Sequence, residues 1–159
     1  MYFKERFIFA IVWMTCLISL WFIPKNKFRE ATFIFLFTQL PAWILGLAVV
    51  EADLIEYPVR EFHKANGTNF SFEYFVLPFI CIFFNLYYPN GKSHYKKLVY
   101  GISIIGIFTL VEYIAEKYTL ILKYIHWEWY HTFLSMYIVI YLVRAVYKWF
   151  FKLKNPLSP

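Results

Sequence analysis

Apolar residues in this chain fall into five long blocks rather than the short alternations of an amphipathic strand or helix. The blocks cover residues 7–23, 31–50, 72–88, 98–115 and 132–151. Each holds about 17–20 residues, enough as a helix to cross roughly 30 Å of hydrocarbon at about 1.5 Å per residue. The pattern predicts an all-α integral membrane bundle of five transmembrane helices, a single membrane domain over residues 1–159. Lys4 and Arg6 before the first block imitate a signal peptide. The segment Trp21-Phe22-Ile23-Pro24-Lys25 offers no small-residue cleavage site, so the block reads as a retained first helix.

The few polar residues inside the blocks predict interior contacts, because polar side chains directed at lipid are disfavoured. Gln39 stands before Pro41 near the middle of the second block, where a kink is expected. In the third, Pro78, Cys81 and Asn85 share one face, predicted to meet other helices. In the last, Arg144 and Lys148 lie near the end and are expected to snorkel to the interface. The longest connection follows Glu51. Within it, Leu54, Ile55, Val59 and Phe62 predict a short amphipathic turn on the membrane surface, and Asn66-Gly67-Thr68 and Asn69-Phe70-Ser71 have the form of glycosylation sequons.

Composition agrees with this picture. Hydrophobic residues form 61% of the chain and charged residues 16%, far from the balance of a soluble domain. Aromatics reach 25%, and many, such as Trp21, Tyr87, Trp129 and Trp149, flank the blocks where rings favour the headgroup level. The cysteines Cys16 and Cys81 carry no redox or metal motif and read as buried thiols.

Charge sets the expected orientation. Loop one, loop three and the C-terminal part hold Lys25, Lys27, Arg29, Lys92, Lys96, Lys97, Arg144, Lys148, Lys152 and Lys154. The N-terminus, loop two and loop four hold Lys4, Arg6, Arg60, Lys64, Lys117 and Lys123. This split of ten against six among the 16 basic residues predicts the N-terminus outside and the C-terminus in the cytoplasm. Nine of the ten acids, all but Glu30, fall on or near the outer side. The net charge of +6 therefore belongs to the inner face. It suits the lipid bilayer and not nucleic acid, since no basic and aromatic binding module accompanies it.

Candidate chemistry concentrates at the outer end. Glu112 and Glu116 stand one helical turn apart, with Glu112 about 21 Å into its helix and still within the outer leaflet. An intramembrane carboxylate must face the bundle, be protonated or find a partner. Lys117, Lys123, His126 and His131 are candidates. The segment from Tyr124 to His131 adds Trp127 and Trp129, so Glu112, Glu116, His126, Trp127, Trp129 and His131 form the candidate binding set. Three readings stand: an interfacial aromatic belt, an outward-facing polar pocket for a cation, proton or polar ligand, and a metal site. The last is disfavoured because His126 and His131 are five residues apart, on different helix faces. No cofactor motif, phosphate loop or nucleophile motif accompanies them.

Three stretches carry a resemblance: Tyr57-Pro58 with Phe62; Pro78 through Asn85-Leu86-Tyr87-Tyr88-Pro89 and a lysine-rich turn; and Leu110-Val111-Glu112-Tyr113 followed by Tyr124, His126-Trp127 and Trp129. With these the chain resembles a group of small multi-helix membrane proteins of endospore-forming Gram-positive bacteria. The resemblance implies a bacterial cytoplasmic membrane location without an established activity. It favours Glu112 and Trp127 over Glu116 and His131 for a shared role. The expected function is non-enzymatic: ligand or ion binding, or a subunit of an envelope complex with a membrane-protein partner or as a homo-oligomer. The alternatives are an intramembrane enzyme using Glu112 and Glu116 on a lipid or peptide, and a purely structural membrane partner.

Overall fold

The computed structural model describes residues 2–153. Its elements are α1 (Phe3–Ser19), closing in a 3-10 turn (Leu20–Phe22), then α2 (Phe28–Glu51), strand β1 (Ile55–Glu56), a π turn (Phe72–Val76) running into α3 (Leu77–Leu86), α4 (His94–Tyr118), strand β2 (Lys123–Tyr124) and α5 (Trp129–Phe150). The protein is all-helical apart from that two-stranded ribbon. Each apolar block forms a helix, but the bounds differ from those the hydropathy suggests. Helix α4 extends beyond 98–115 at both ends because His94, Lys96, Lys97, Glu116 and Lys117 are helical without being apolar. The last helix starts at Trp129 because Glu128 caps it: the Glu128 carboxylate accepts the backbone N–H of His131, and His131 Nδ1 accepts the backbone N–H of Glu128 at 3.1 Å.

Four helical segments are long and apolar enough to cross a membrane: Phe3–Phe22, Lys25–Glu51, His94–Tyr118 and Trp129–Phe150. The third, Phe72–Leu86, is shorter than the 72–88 of the sequence reading. Its 15 residues reach about 22 Å. Pro89 disfavours helical backbone at Tyr88 and ends it early. This short helix is also the most enclosed. Leu77, Phe79, Cys81, Ile82 and Phe84 are all buried and form the centre of the core with Ile34 of α2, Ile105 of α4, and Ile140 and Val143 of α5. Outside that core the bundle is apolar on its surface: Leu36, Ile44, Ile107, Leu110, Leu134 and Ile138 are exposed.

Contacts define two ends. At one, Ile55 pairs with Tyr124 and Glu56 with Lys123 in an antiparallel ribbon, and Val59 N–H donates to Leu120 O at 3.0 Å. The amphipathic turn expected at Leu54–Phe62 is therefore replaced by a strand that ties loop two to loop four. Lys4 Nζ donates to Tyr118 O at 2.6 Å, which brings the start of α1 to this ribbon end. At the other end, Tyr87 OH donates to Phe22 O at 3.2 Å and Arg144 reaches Asn90. The helices thus alternate in direction. Nine of the ten basic residues of the excess gather at this second end; Lys154 lies outside the described residues.

One polar expectation changes. Arg144 does not snorkel: it is 7% exposed, held between α3 and the turn after it. Helix α2 continues through Pro41, and its fully buried polar residue is Thr38, whose hydroxyl donates to Ile34 O at 2.7 Å, while Gln39 is only half-buried.

Candidate functional site

The polar site at the ribbon end is built from loop two upward. Asn66 Oδ1 accepts the backbone N–H of Thr68 at 3.1 Å, a local turn that asparagine favours. Asn69 Oδ1 accepts the Phe72 N–H at 3.1 Å and so caps the start of the π turn. Thr68 and Ser71 are buried, and their hydroxyls are spent inward: Ser71 donates to Glu61 and accepts from Trp13 Nε1 at 2.6 Å. The two apparent sequons are structural turns whose side chains hold acids in place.

One of those acids is Glu73, 2% exposed and set in the π turn. The extra residue of such a turn re-aims side chains, and π turns recur at functional sites. Glu73 Oε2 lies 2.9 Å from Thr68 Oγ1, which also lies 3.0 Å from Asn66 Oδ1. The threonine hydroxyl has one hydrogen and can donate to only one of them. Glu73 Oε1 is buried without any hydrogen-bond partner. It occupies the space beside Gly46 of α2 where any Cβ would overlap it. Glycine at 46 is what lets the carboxyl sit against the α2 backbone.

Glu112 of α4 is treated differently. Its Oε1 accepts from Tyr124 OH at 2.8 Å and from Thr132 Oγ1 at 2.6 Å, and Thr132 in turn accepts from Trp127 Nε1 at 2.8 Å. Every hydrogen in this set is consistent with an ionised carboxylate. The donors come from β2, the following turn and the first turn of α5, so the ribbon and the cap at Glu128 fix all three.

Glu73 and Glu112 line one cavity of about 50 Å³ with Gly46, Tyr57, Trp127, Thr132 and Ser135. Apolar residues, among them Ala42, Leu45, Val49, Leu77 and Met136, complete its wall. Tyr57, in loop two, stands near both acids. Burial above all, and then the charges of Glu112 and Glu73, push its hydroxyl well above the usual tyrosine range. Burial and Glu112 do the same to Tyr124. Both phenols therefore stay neutral, and Tyr124 donates to Glu112. Chemically the cavity offers two carboxyls, one furnished with donors and one with an open oxygen, in a space of atomic dimensions. Such a site suits a proton or a small cation.

Of the residues singled out from sequence, Glu112 and Trp127 line this cavity. Glu116 does not join them: it pairs with Lys117 at 3.0 Å, so the turn-mate expectation is corrected, and the second carboxyl of the cavity is Glu73. His126 is exposed, with its backbone N–H on Leu54 O at 3.2 Å. Trp129 is exposed and meets Tyr130 edge to face. His131 serves the helix cap and packs on Trp127. Asn85 lies far from the ribbon, buried, donating to Cys81 O at 2.8 Å and accepting from Arg144 at 3.3 Å. Among the described residues no group of three or more histidine, cysteine or acidic side chains converges on a metal position. Sequence reasoning missed Glu73 because it sits at the edge of an apolar block and reads as a boundary charge. The signal that could have found it is Asn69 four residues earlier, a cap that starts the helix before the acid and draws it inside.

The chain matches no protein-family profile, no curated protein and no solved structure.

Proposed function

We propose that this chain is a polytopic protein of a bacterial cytoplasmic membrane whose outer-end cavity binds one small cation, or a proton, between Glu73 and Glu112. In this reading all five helices cross. The short α3 is enclosed by its neighbours and does not have to match the bilayer alone. The N-terminus is outside and the C-terminus in the cytoplasm, as the basic excess at the Arg144 end favours. The resemblance to small membrane proteins of endospore-forming bacteria fits the same location.

The observation that carries the ligand reading is the Glu73 carboxyl: buried, with Oε1 unpartnered and Glu112 lining the same cavity. A buried acceptor without a donor costs about 1–3 kcal/mol, which a bound cation or a proton on the carboxyl would offset. The alternative of an intramembrane hydrolase would use the same two carboxyls as acid and base. The cavity that both carboxyls line is only about 50 Å³, which favours ion binding, although Glu112 also lines an adjoining apolar cavity of about 170 Å³.

The test is titration of the purified protein with sodium, potassium and ammonium, read by calorimetry and by Trp127 fluorescence. One saturable cation is expected, with binding lost in both Glu73→Gln and Glu112→Gln. Unchanged binding in the two folded variants, or none in the parent together with ordinary carboxyl titration by infrared spectroscopy, refutes the reading. For orientation, Gly91→Cys, at a turn position with open space around it, should be labelled only after the cytoplasmic face is opened. Labelling from outside intact cells overturns the topology.

A further inference from the structure

At the opposite end of the bundle, α5 buries a cation with no acid of its own. The Arg144 guanidinium is stacked on Tyr88, its carbon 3.3 Å from the ring centroid. It donates to Asn85 Oδ1 at 3.3 Å and to Asn90 Oδ1 at 2.5 Å. All three partners are neutral. Among the described residues the ion pairs are Lys27–Glu30 and Lys117–Glu116, and Arg144 belongs to neither.

Arg144 opens onto a cavity of about 300 Å³ that Lys27, Glu30, Asn90, Tyr147 and Lys148 also line. Among the described residues Glu30 is its one carboxylate, and it is engaged by Lys27 at 2.7 Å and by the Tyr147 hydroxyl. Among the described residues its lining holds the cationic side chains of Lys27, Arg144 and Lys148 against this one occupied acid. A buried charge without a counter-ion is unfavourable, and the favourable remedy is an anion that accepts hydrogen bonds. The guanidinium plane is already fixed. Tyr88 holds its face, and Asn85, itself anchored on Cys81 O, holds one edge. A fixed guanidinium fork matches the oxygens of a phosphate group.

We propose that this cavity binds a phosphate group, with Arg144 as its principal donor and Lys148 as a second cation. The volume exceeds what a halide fills and accommodates a phosphate ester. The surrounding lysines, Lys25, Lys92, Lys96 and Lys97, raise the local concentration of anions at this end. The same chemistry has two sources: the headgroup of an anionic phospholipid in the adjoining leaflet, or a soluble phosphate.

The experiment uses the full chain, delipidated in dodecyl maltoside, a detergent without phosphate. Thermal unfolding is followed while inorganic phosphate or short-chain phosphatidylglycerol is added, with chloride at matched ionic strength as the reference. A saturable rise in Tm with at least one probe, beyond that with chloride, is expected. A rise with phosphate alone assigns a soluble source, with the lipid alone a headgroup, and with both a site that reads phosphate without selecting its carrier. Arg144→Gln should weaken binding at least tenfold. Because that variant disturbs Asn85 and Asn90, Lys148→Gln is measured beside it and should weaken binding severalfold. Lys152→Gln, exposed and outside the cavity, should bind like the parent. Absence of any shift beyond chloride, or Lys148→Gln and Lys152→Gln binding alike, overturns the proposal. Glu73→Gln should retain phosphate binding, so the two sites fail separately.

Discussion

The two ends of the bundle bury opposite charges and solve the problem with different materials. At the ribbon end, the hydroxyls of Tyr124 and Thr132 converge on Glu112 and the Trp127 indole backs Thr132, all from one short stretch that follows the acid in sequence. At the basic end, two amides and a phenol ring surround Arg144, and they come from the exit of α3 and the turn after it. The charges cannot pair with each other. Thr132, which holds Glu112, and Arg144 lie about 18 Å apart along α5. Among the described residues neither Glu112 nor Arg144 has an ion-pair partner, and each has a cavity beside it. The contrast teaches that polarity in this membrane-like bundle is partitioned by sign along the axis, while the middle is a buried apolar core around Ile34, Phe84 and Ile140.

The hardest way to break this comparison is at Gly46. A valine there must displace the Glu73 carboxyl, and overpacking of this kind costs about 1–3 kcal/mol, so Gly46→Val should show the largest loss of thermal stability in detergent and abolish cation binding. Gly106→Val is its control, since a Cβ at Gly106 meets nothing, and it should stay near the parent. Equal losses at the two glycines would mean that Glu73 moves aside freely.

Next comes the Glu112 network. Thr132→Val removes one donor to the carboxylate and strands the Trp127 indole N–H, and should cost about 2 kcal/mol. Tyr124→Phe removes the other donor and should cost about 1 kcal/mol. Chemical denaturation of both, and of the double variant, would show whether the donors act together; strict additivity would argue against a shared network.

At the basic end, Asn85→Ala deletes an amide that both accepts from Arg144 and donates to Cys81 O, and should cost about 1–2 kcal/mol. A loss confined to the Arg144 end, seen as faster amide exchange after α3 with an unchanged ribbon, sharpens the partition. The smallest effect belongs to Glu116→Gln. Its pair with Lys117 is half-exposed on the lysine side, and such pairs contribute little, so Tm should not change measurably. A large drop would return Glu116 to the site.

Much of the fold was legible because the helices carry long continuous apolar surface, and five blocks record five helices. The acid–base segregation of the two ends was equally plain in Lys25 to Arg29, in Lys96-Lys97 and in the acids near loops two and four. Glu112 and Trp127 stood out because an acid deep in an apolar block and an indole at its rim are unusual. Hydropathy could not reveal Glu73 or Arg144, since a charge near a block edge looks the same whether it turns to water or inward. That choice was made by Asn69, which starts the helix one turn before Glu73, by Gly46, which leaves room across the interface, and by Tyr88, which offers Arg144 an aromatic face. The sequence by itself determined that the chain forms apolar helices with opposite charges at their ends. Only the tertiary structure decided which charges are buried, because burial depends on donors and open space supplied by other helices, and those neighbours are set by packing rather than by local pattern.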